Sequence, residues 1–255
     1  MSVLDQYRLD GKTALVTGAT RGIGSALAIA LAEAGADVAC VDILDCDNTC
    51  KQIEALGRKA IYQYADLSQA TRTGMDTLID SVIQKLGRLD ILVNCAGVVL
   101  PDPVLEISEL NWDLEVQINM KALFLLSQAG ASRMAESGSG KIINIASAWS
   151  FQGGEFVASY AGTKHAVAGY TRAFAFECAP LGINVNAIAP GWTSTATTTD
   201  IEKDSALYQS KLERIPAGRW AKPDDYKGLV VFLASDASEY MHGTVVAMDG
   251  GWLIH

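Results

Sequence analysis

The amino-acid sequence predicts an α/β protein, a single domain over residues 1–255 in which a doubly wound, seven-stranded parallel sheet carries helices on both faces. Two observations predict this fold. Short apolar runs typical of buried parallel strands recur along the chain, and segments of helical period separate them. No repeat, low-complexity tract or linker interrupts the alternation, which favours right-handed crossovers and one parallel sheet.

The apolar runs and the periodic segments set the bounds of the elements. The predicted strands are Thr13–Thr17, Asp37–Asp42, Ala60–Tyr64, Ile91–Val93, Lys141–Ala146, Asn184–Ile188 and Val245–Met248. The predicted helices are Ile23–Ala34, Asp47–Leu56, Arg72–Leu86, Ser108–Ser137, Ser159–Ala179 and Pro223–Ser235. A strandless, initially Thr-rich segment at about 192–215 is predicted to form a lid, because segments of this length are often functional.

Composition limits the possible functions. The chain is 49% hydrophobic and 19% charged, which suits a globular protein with an aliphatic core. Its net charge is −9 and it has no run of basic residues, so we expect no nucleic-acid partner. No apolar stretch approaches the ~18 residues of a membrane span, and the first nine residues lack the apolar core of a signal peptide. We therefore expect a cytoplasmic protein without a membrane partner.

The cysteines and histidines do not predict a metal site. Five cysteines are spread along the chain, an odd number that is simplest to explain as free thiols in a reducing compartment. Cys46 and Cys50 could share a helix face, but no histidine or carboxylate set completes a zinc site there. With only three histidines, hydrolysis that depends on histidine is also disfavoured.

A glycine-rich turn follows the first strand. It runs from Gly18 to Gly24 as Gly-Ala-Thr-Arg-Gly-Ile-Gly, and a helix follows it. Glycines let the backbone turn tightly and approach a pyrophosphate, and the helix N-terminus presents free N–H groups to the phosphates. The strand-turn-helix context indicates dinucleotide binding, although glycine clusters also occur in plain turns.

The acid at the end of the second strand bears on which dinucleotide is bound. Asp42 lies about 20 residues after the glycines, where a carboxylate can accept hydrogen bonds from ribose hydroxyls and would repel a 2′-phosphate. This favours NAD. NADP stays open, because the guanidinium of Arg21 could instead bind a 2′-phosphate.

Tyr160 and Lys164 are four residues apart, which places both side chains on one face of a helix. A phenol normally ionises near pH ~10, and a neighbouring ammonium favours the phenolate, which brings its pKa toward neutrality. The pair is therefore a candidate proton-transfer centre, although the same spacing arises by chance in many surface helices.

Several motifs in order and spacing resemble the short-chain dehydrogenase/reductase family, in its branch of about 250 residues, over nearly the whole chain. They are Thr17-Gly18 through Gly24, Asp66-Leu67, Asn94-Cys95-Ala96-Gly97, Asn119, Ser147, Tyr160 with Lys164, and Pro190-Gly191 with Thr195. Cys95 departs from the family's second Asn, which should be tolerated in a structural turn.

The resemblance implies a Rossmann-type fold, a carbonyl reductase or dehydrogenase activity, and roles for named residues. The implied catalytic residues are Asn119, Ser147, Tyr160 and Lys164. The implied cofactor-binding residues are Gly18, Arg21, Gly22, Ile23, Gly24, Asp42, Asp66, Leu67, Asn94, Ala96, Gly97, Tyr160, Lys164, Pro190, Gly191, Thr193 and Thr195. The expected substrate-binding residues are Ser147, Trp149, Gln152, Phe156 and Trp192. The family also implies a homodimer or homotetramer.

The same resemblance implies the chemistry. Tyr160 would be the general acid in ketone reduction and the base in alcohol oxidation, and Lys164 would lower its pKa and hold the nicotinamide ribose. Ser147 would hydrogen-bond the substrate oxygen, and Asn119 would hold a water that links Lys164 to solvent.

The substrate is the least determined feature. Within the family the chain is nearest the sugar-acid dehydrogenases of the 2-dehydro-3-deoxygluconate 5-dehydrogenase and 2-deoxygluconate 3-dehydrogenase type. Members of that group tend to carry arginines where this chain has residues 98–102 and 155–158, and neither stretch here contains a cation. A buried substrate carboxylate requires a cationic partner. The remaining candidates are Lys203, Lys211, Arg214 and Arg219.

Three hypotheses follow. The preferred one is a dehydrogenase of a neutral or weakly polar secondary alcohol, whose cleft walls would include Leu100, Trp149, Phe151, Phe156, Trp192 and Tyr208. The second is a sugar-acid dehydrogenase. The third, a non-catalytic dinucleotide sensor, would gain nothing from retaining both Ser147 and Tyr160.

Overall fold

The computed structural model describes residues 2–254, so that Met1 and His255 lie outside the described residues. Seven parallel strands form one sheet in the order β3-β2-β1-β4-β5-β6-β7. The strands are β1 (Thr13–Thr17), β2 (Asp37–Asp42), β3 (Ala60–Tyr64), β4 (Ile91–Asn94), β5 (Gly140–Ile145), β6 (Ile183–Pro190) and β7 (Val245–Met248). The predicted fold class is confirmed, and the bounds differ mainly in β6, which is longer at both ends.

Helices cover both faces of the sheet. They are α1 (Gly22–Glu33), α2 (Asp47–Ala55), α3 (Arg72–Leu86), α4 (Glu109–Glu115), α5 (Leu123–Ser137), α6 (Ala158–Cys178), α7 (Thr199–Lys203), α8 (Ser205–Leu212) and α9 (Lys227–Ala234). Successive β1 side chains alternate between two cores: Val16 packs with residues of α1 and α9, and Leu15 packs with residues of α3 and α5. Because both faces are covered, β1 is buried throughout.

The strand order reverses between β1 and β4. The chain adds β2 and β3 on one side of β1 and then crosses to β4 on the other side, pairing Val16 with Val93. In open parallel sheets such a reversal leaves a crevice at the carboxyl ends of the strands, where ligands bind.

The helix predicted over Ser108–Ser137 contains an irregular stretch. Between α4 and α5 the segment Val116–Ala122 is a π-helix, and Asn119 lies within it with 1% of its surface exposed. Such wide turns occur most often at functional sites. Hydrophobic period alone does not distinguish a π turn from an α turn, so the sequence did not predict it.

The 192–215 segment contains the short helices α7 and α8 and packs on aromatic residues. Trp192 and Tyr208 lie against a small core that includes Trp220 and Trp252 and is separate from the two cores flanking the sheet. Within residues 2–254, no helix is long and apolar enough to cross a bilayer. The same residues hold no group of three or more His, Cys, Asp or Glu side chains arranged to bind a metal ion.

Candidate active site

A cleft of about 510 Å³ lies at the carboxyl ends of the strands, where the strand order reverses. Most of the residues predicted for the cofactor line it, namely Gly18, Arg21, Gly22, Ile23, Gly24, Asp42, Asp66, Leu67, Ala96, Gly97, Tyr160, Lys164, Pro190, Gly191, Thr193 and Thr195. Three of the predicted substrate-binding residues, Ser147, Trp149 and Trp192, line it as well.

The glycine turn leaves no room for a side chain at Gly18 or Gly24. Gly18 has a φ of +70°, in the left-handed region, and a Cβ atom there would lie 3.0 Å from the backbone of Ala96. A Cβ on Gly24 would lie 2.1 Å from the carbonyl oxygen of Gly18. The hydroxyl of Thr17 accepts the N–H groups of Cys95 and Ala96, each at 3.0 Å, which joins this turn to the end of β4. The cradle therefore fits a dinucleotide pyrophosphate at the start of α1.

The carboxylate of Asp42 is held in place by backbone. One oxygen accepts the N–H of Thr20 at 3.1 Å, and the other accepts the N–H of Leu44 at the same distance. Arg21 also lines the cleft, and its side chain forms no salt bridge within the described chain. Asp42 and Arg21, the two residues predicted to discriminate between NAD and NADP, therefore both line the cleft.

Tyr160, Lys164 and Ser147 meet at the inner end of the cleft. Tyr160 and Lys164 lie on the first turns of α6, and the Lys164 ammonium is 5.5 Å from the centre of the Tyr160 ring. The ammonium donates a hydrogen bond to the carbonyl of Ile145 at 2.7 Å. Ser147 follows β5, and its turn is joined to α6 because Ser150 Oγ donates to the Lys164 carbonyl at 2.7 Å. The end of β5 and the start of α6 thus form one unit.

The electrostatics differ from the expectation for the Tyr–Lys pair. Burial raises the pKa of Tyr160 to about 12, and the Ser147 hydroxyl, which can hydrogen-bond the phenolate, opposes that rise. Burial also lowers the pKa of Lys164 to about 8. In this chain by itself the pKa of Tyr160 is therefore raised and not lowered as the sequence predicted, because burial disfavours the charged phenolate.

Asn119 makes contacts that its predicted role did not include. Its side-chain oxygen accepts the N–H of Val98 at 2.9 Å, and its Nδ2 donates to the Val98 carbonyl at 2.8 Å and to Thr163 Oγ1 at 3.2 Å. These bonds fix the segment after β4 and the helix that carries Tyr160. Asn119 is therefore placed beside Lys164 and Gly97, behind the residues that line the cleft.

Other predicted site residues lie outside the cleft lining. Asn94 is buried beneath it, where its Nδ2 donates to Ser127 Oγ and to Asn144 Oδ1, each at 2.9 Å. Gln152 and Phe156 lie in the loop before α6 and do not line the cleft, and Phe156 is 56% exposed with a left-handed φ of 63°. Leu100, Phe151 and Tyr208, expected as walls, also lie outside the lining.

The cleft includes residues that sequence reasoning missed. Val98, Val99 and Pro101 form one wall, Ile201 of the 192–215 segment faces the cleft, and Trp252 enters from the C-terminal end. The ring of Trp252 packs edge to face against Trp149 and Trp192, with ring centres 6.1 and 6.0 Å apart. The position of Trp252 four residues after the end of the last strand was a usable signal, since that strand ends at the same edge of the sheet.

The sequence left four candidate cationic partners for a substrate carboxylate, and none of them lines the cleft. They are Lys203, Lys211, Arg214 and Arg219. Arg219 pairs with Asp225 at 2.7 Å, and Lys203 lies 3.6 Å from Asp200. Arg214 stacks on the outer part of the aromatic cluster, 4.0 Å from the centre of the Trp252 ring, and Lys211 is 5.9 Å from that of Trp192. Within the described chain, the cations that line the cleft are Arg21 and Lys164.

The arrangement can move a proton at a substrate oxygen. A phenol, a hydroxyl and an ammonium converge at one end of a cleft whose other end is a glycine cradle beside a fixed carboxylate. When bound there, a nicotinamide dinucleotide supplies or accepts the hydride.

Comparison with known proteins supports this chemistry. The family model described as Enoyl-(Acyl carrier protein) reductase matches residues 18–253. The 2-dehydro-3-deoxy-D-gluconate 5-dehydrogenases of Escherichia coli and Bacillus subtilis are each 45% identical to the chain over 252 residues, covering 98% of it and 99% and 97% of their own lengths.

A solved structure is similar to this chain over nearly its whole length. A protein from Agrobacterium tumefaciens, assigned as a 2-deoxy-D-gluconate 3-dehydrogenase and solved with bound NADP, matches with a TM-score of 0.92 at 44% identity, covering 98% of this chain and 100% of its own. Such relatives are named as dehydrogenases, which argues against a non-catalytic sensor.

Proposed function

We propose that this chain, which belongs to the short-chain dehydrogenase/reductase family of oxidoreductases, interconverts a secondary alcohol and a ketone at the cleft described above. The observation that carries the proposal is the convergence of Tyr160, Lys164 and Ser147 at the inner end of a cleft that begins at the glycine turn. These groups can exchange a proton with a substrate oxygen, while the protein needs only to position the hydride carrier.

Each group has a distinct role in the proposed reaction. Tyr160 gives its proton to the ketone oxygen in reduction and, as phenolate, takes the alcohol proton in oxidation. Ser147 hydrogen-bonds the same oxygen, where negative charge develops. Lys164 stabilises the phenolate, and Asn119 keeps Val98 and α6 in register around them.

We propose that NAD is preferred over NADP. The Asp42 carboxylate is fixed by two backbone N–H groups, so it cannot swing away from a 2′-phosphate without losing both bonds. Arg21 is exposed and can move, and the Agrobacterium relative was solved with NADP, which keeps NADP as the second candidate.

The preferred substrate is a neutral or weakly polar alcohol or ketone. Its end of the cleft is formed by Trp149, Trp192, Trp252 and the wall at Val99 and Pro101. No cation other than those at the cofactor positions lines this space within residues 2–254, so a substrate carboxylate would lose its hydration without an ionic partner. This observation supports a neutral substrate.

The second candidate is a sugar acid. The relatives that are 45% identical to the chain are named for 2-dehydro-3-deoxy-D-gluconate, and their similarity spans nearly the full length. For this candidate Arg214 or Lys211 would have to leave its indole partner and enter the cleft.

A substrate panel distinguishes the two candidates. Cyclohexanol, xylitol and myo-inositol are compared with D-gluconate and 2-deoxy-D-gluconate, with NAD and with NADP, by absorbance of the reduced nicotinamide. We expect kcat/KM to be higher for a neutral compound and for NAD. Turnover confined to the carboxylated compounds would establish the second candidate, and a strong preference for NADP would overturn the weight given to Asp42.

The proposal extends to the lid, the location and the oligomeric state. We propose that the chain is one domain in which residues 192–215 act as a substrate lid, since Ile201 of this segment faces the cleft. We also propose a cytoplasmic location. We further propose a homodimer or homotetramer, because large apolar side chains such as Leu105, Leu110 and Phe176 are 95%, 77% and 85% exposed.

A further inference from the structure

Glu115, the last residue of α4, is a buried acid that the proposed reaction does not use. Only 1% of its surface is exposed, and its Oε1 accepts the N–H of Leu100 at 2.7 Å. Among the described residues, no Lys, Arg or His lies within 4.0 Å of its carboxylate. Burying an unpaired carboxylate costs several kcal/mol, roughly, so it weakens the fold unless something else offsets the cost.

The acid stands directly behind the wall of the substrate end. Asn119 holds the backbone of Val98 and Glu115 holds that of Leu100, so the same helical run fixes alternate residues of an extended segment. The side chains of the intervening Val99 and the following Pro101 line the cleft. The segment whose backbone Glu115 holds therefore also supplies residues to the cleft lining.

A second acid at this wall also has no cationic partner. Asp102, at the outer end of the segment, accepts the side-chain amide of Asn111 at 2.8 Å and makes no salt bridge in the part of the chain that is described. The cleft-lining cation of the proposed reaction, Lys164, donates instead to the Ile145 carbonyl. The negative charge at the wall is thus left uncompensated by neighbouring side chains.

The charge of Glu115 reaches the reacting groups. After burial, which is the main cause, Glu115 is one of the groups that raise the pKa of Tyr160. A carboxylate that disfavours the phenolate also disfavours any other anion at that end of the cleft, because the same low dielectric acts on both.

We propose that Glu115 is a specificity-determining residue whose buried charge, held against the Val98–Pro101 wall, excludes carboxylated substrates and admits neutral ones. The inference rests on the proposed function and names the physical cause of its substrate class.

Three variants separate the effect of the Glu115 charge from the effect of the position of the Val98–Pro101 wall. Glu115→Gln removes the charge and keeps a carbonyl oxygen that can accept the Leu100 N–H. Glu115→Val removes both the charge and the acceptor. Glu109→Gln, at an exposed acid on the same helix, is the matched control for loss of one charge elsewhere. Hydrogen exchange of residues 97–102 reports the position of the wall in each variant.

The main readout is a ratio, kcat/KM for D-gluconate divided by that for xylitol. We expect Glu115→Gln to raise this ratio by about tenfold while exchange at 97–102 stays at the wild-type rate. Glu109→Gln should leave the ratio within about twofold of wild type, since an exposed charge is screened. We expect faster exchange at 97–102 in Glu115→Val alone.

An unchanged ratio in Glu115→Gln, with unchanged exchange, would overturn the proposal. The same comparison can be made without turnover, by calorimetry of D-gluconate binding to the NADH complex, where Glu115→Gln should bind about tenfold tighter than wild type. A wild-type enzyme that prefers D-gluconate would refute the proposed substrate class, yet the change on substitution would still decide the role of Glu115.

Discussion

At the scale of single residues, the phenol of Tyr160 carries the most specific prediction. Tyr160→Phe removes one oxygen and keeps the ring, so we expect kcat to fall by about 10²–10⁴-fold, the usual contribution of a general acid or base. NADH affinity, measured by fluorescence titration, should stay within about twofold of wild type.

The matched control for this substitution lies on the same helix. Tyr170 packs edge to face on Phe124 with ring centres 5.3 Å apart, and Tyr170→Phe preserves that packing. We expect Tyr170→Phe to retain wild-type kcat. Full turnover by Tyr160→Phe would exclude Tyr160 as the proton donor.

The burial of Tyr160 and Lys164 also predicts how the rates of alcohol oxidation and ketone reduction depend on pH. A general base acts when deprotonated, and burial raises the pKa of Tyr160 to about 12, so the kcat of oxidation should rise by about tenfold per pH unit from pH 6 to 8. The rise should become shallower above pH 8, because Lys164, whose pKa burial lowers to about 8, then loses the charge that favours the phenolate.

Reduction should lack this rise with pH. It uses the protonated phenol, which is the main form below the raised pKa, so its kcat should be level over the same pH range. Initial rates in both directions from pH 6 to 10 test this expectation. An oxidation rate that is already level at pH 6 would mean that Tyr160 ionises below that pH once the cofactor is bound.

At the scale of elements, a buried chain of amides and hydroxyls joins the strands to the helices that carry the site. Asn144 of β5 accepts from Asn94 of β4 and donates to Thr171 of α6 at 2.9 Å, and Asn94 donates to Ser127 of α5. A buried polar group that loses its partner costs about 1–3 kcal/mol. This network therefore stabilises one register of β4 and β5 relative to α5 and α6.

Asn144→Ala should lower stability by about 1–3 kcal/mol, because the buried side chains of Asn94 and Thr171 each lose one of their hydrogen-bond partners. The melting temperature should fall by about 2–4 °C per kcal/mol in a protein of this size. Thermal unfolding with Asn48→Ala as the control, an exposed residue of α2, measures the effect. A loss equal to that of the control would mean that water replaces the missing amide.

At the scale of the whole molecule, sheet order decides where the chemistry takes place. The reversal between β1 and β4 opens the crevice, and at its edge the glycine turn follows β1, Ser147 follows β5 and Pro190 ends β6. Trp252, which follows β7, closes the far end of the same edge. Residues more than 200 positions apart in the chain therefore share one cleft.

The fold could be predicted from local patterns in the sequence. Strand and helix periods, the glycine turn after β1 and the acid after β2 are short-range features, and the physical reasons that they predict an α/β sheet act within single elements. Spacing likewise placed Tyr160 and Lys164 on one helical face. The order and spacing of the motifs then predicted a catalytic role for Ser147, and the structure brings this residue to the same end of the cleft as Tyr160 and Lys164.

Three features depended on the tertiary structure. The π-helix that carries Asn119, the Val98–Pro101 wall with Glu115 behind it, and the entry of Trp252 all result from contacts between distant segments. The pKa of Tyr160 is a further case, because burial, which raises it, is a property of the packed molecule that the sequence did not show. The sequence alone thus determined the sheet, which follows from local periodicity, and its motifs implied the reaction through their resemblance to a known family, whereas packing alone decided the charge and shape that face the substrate.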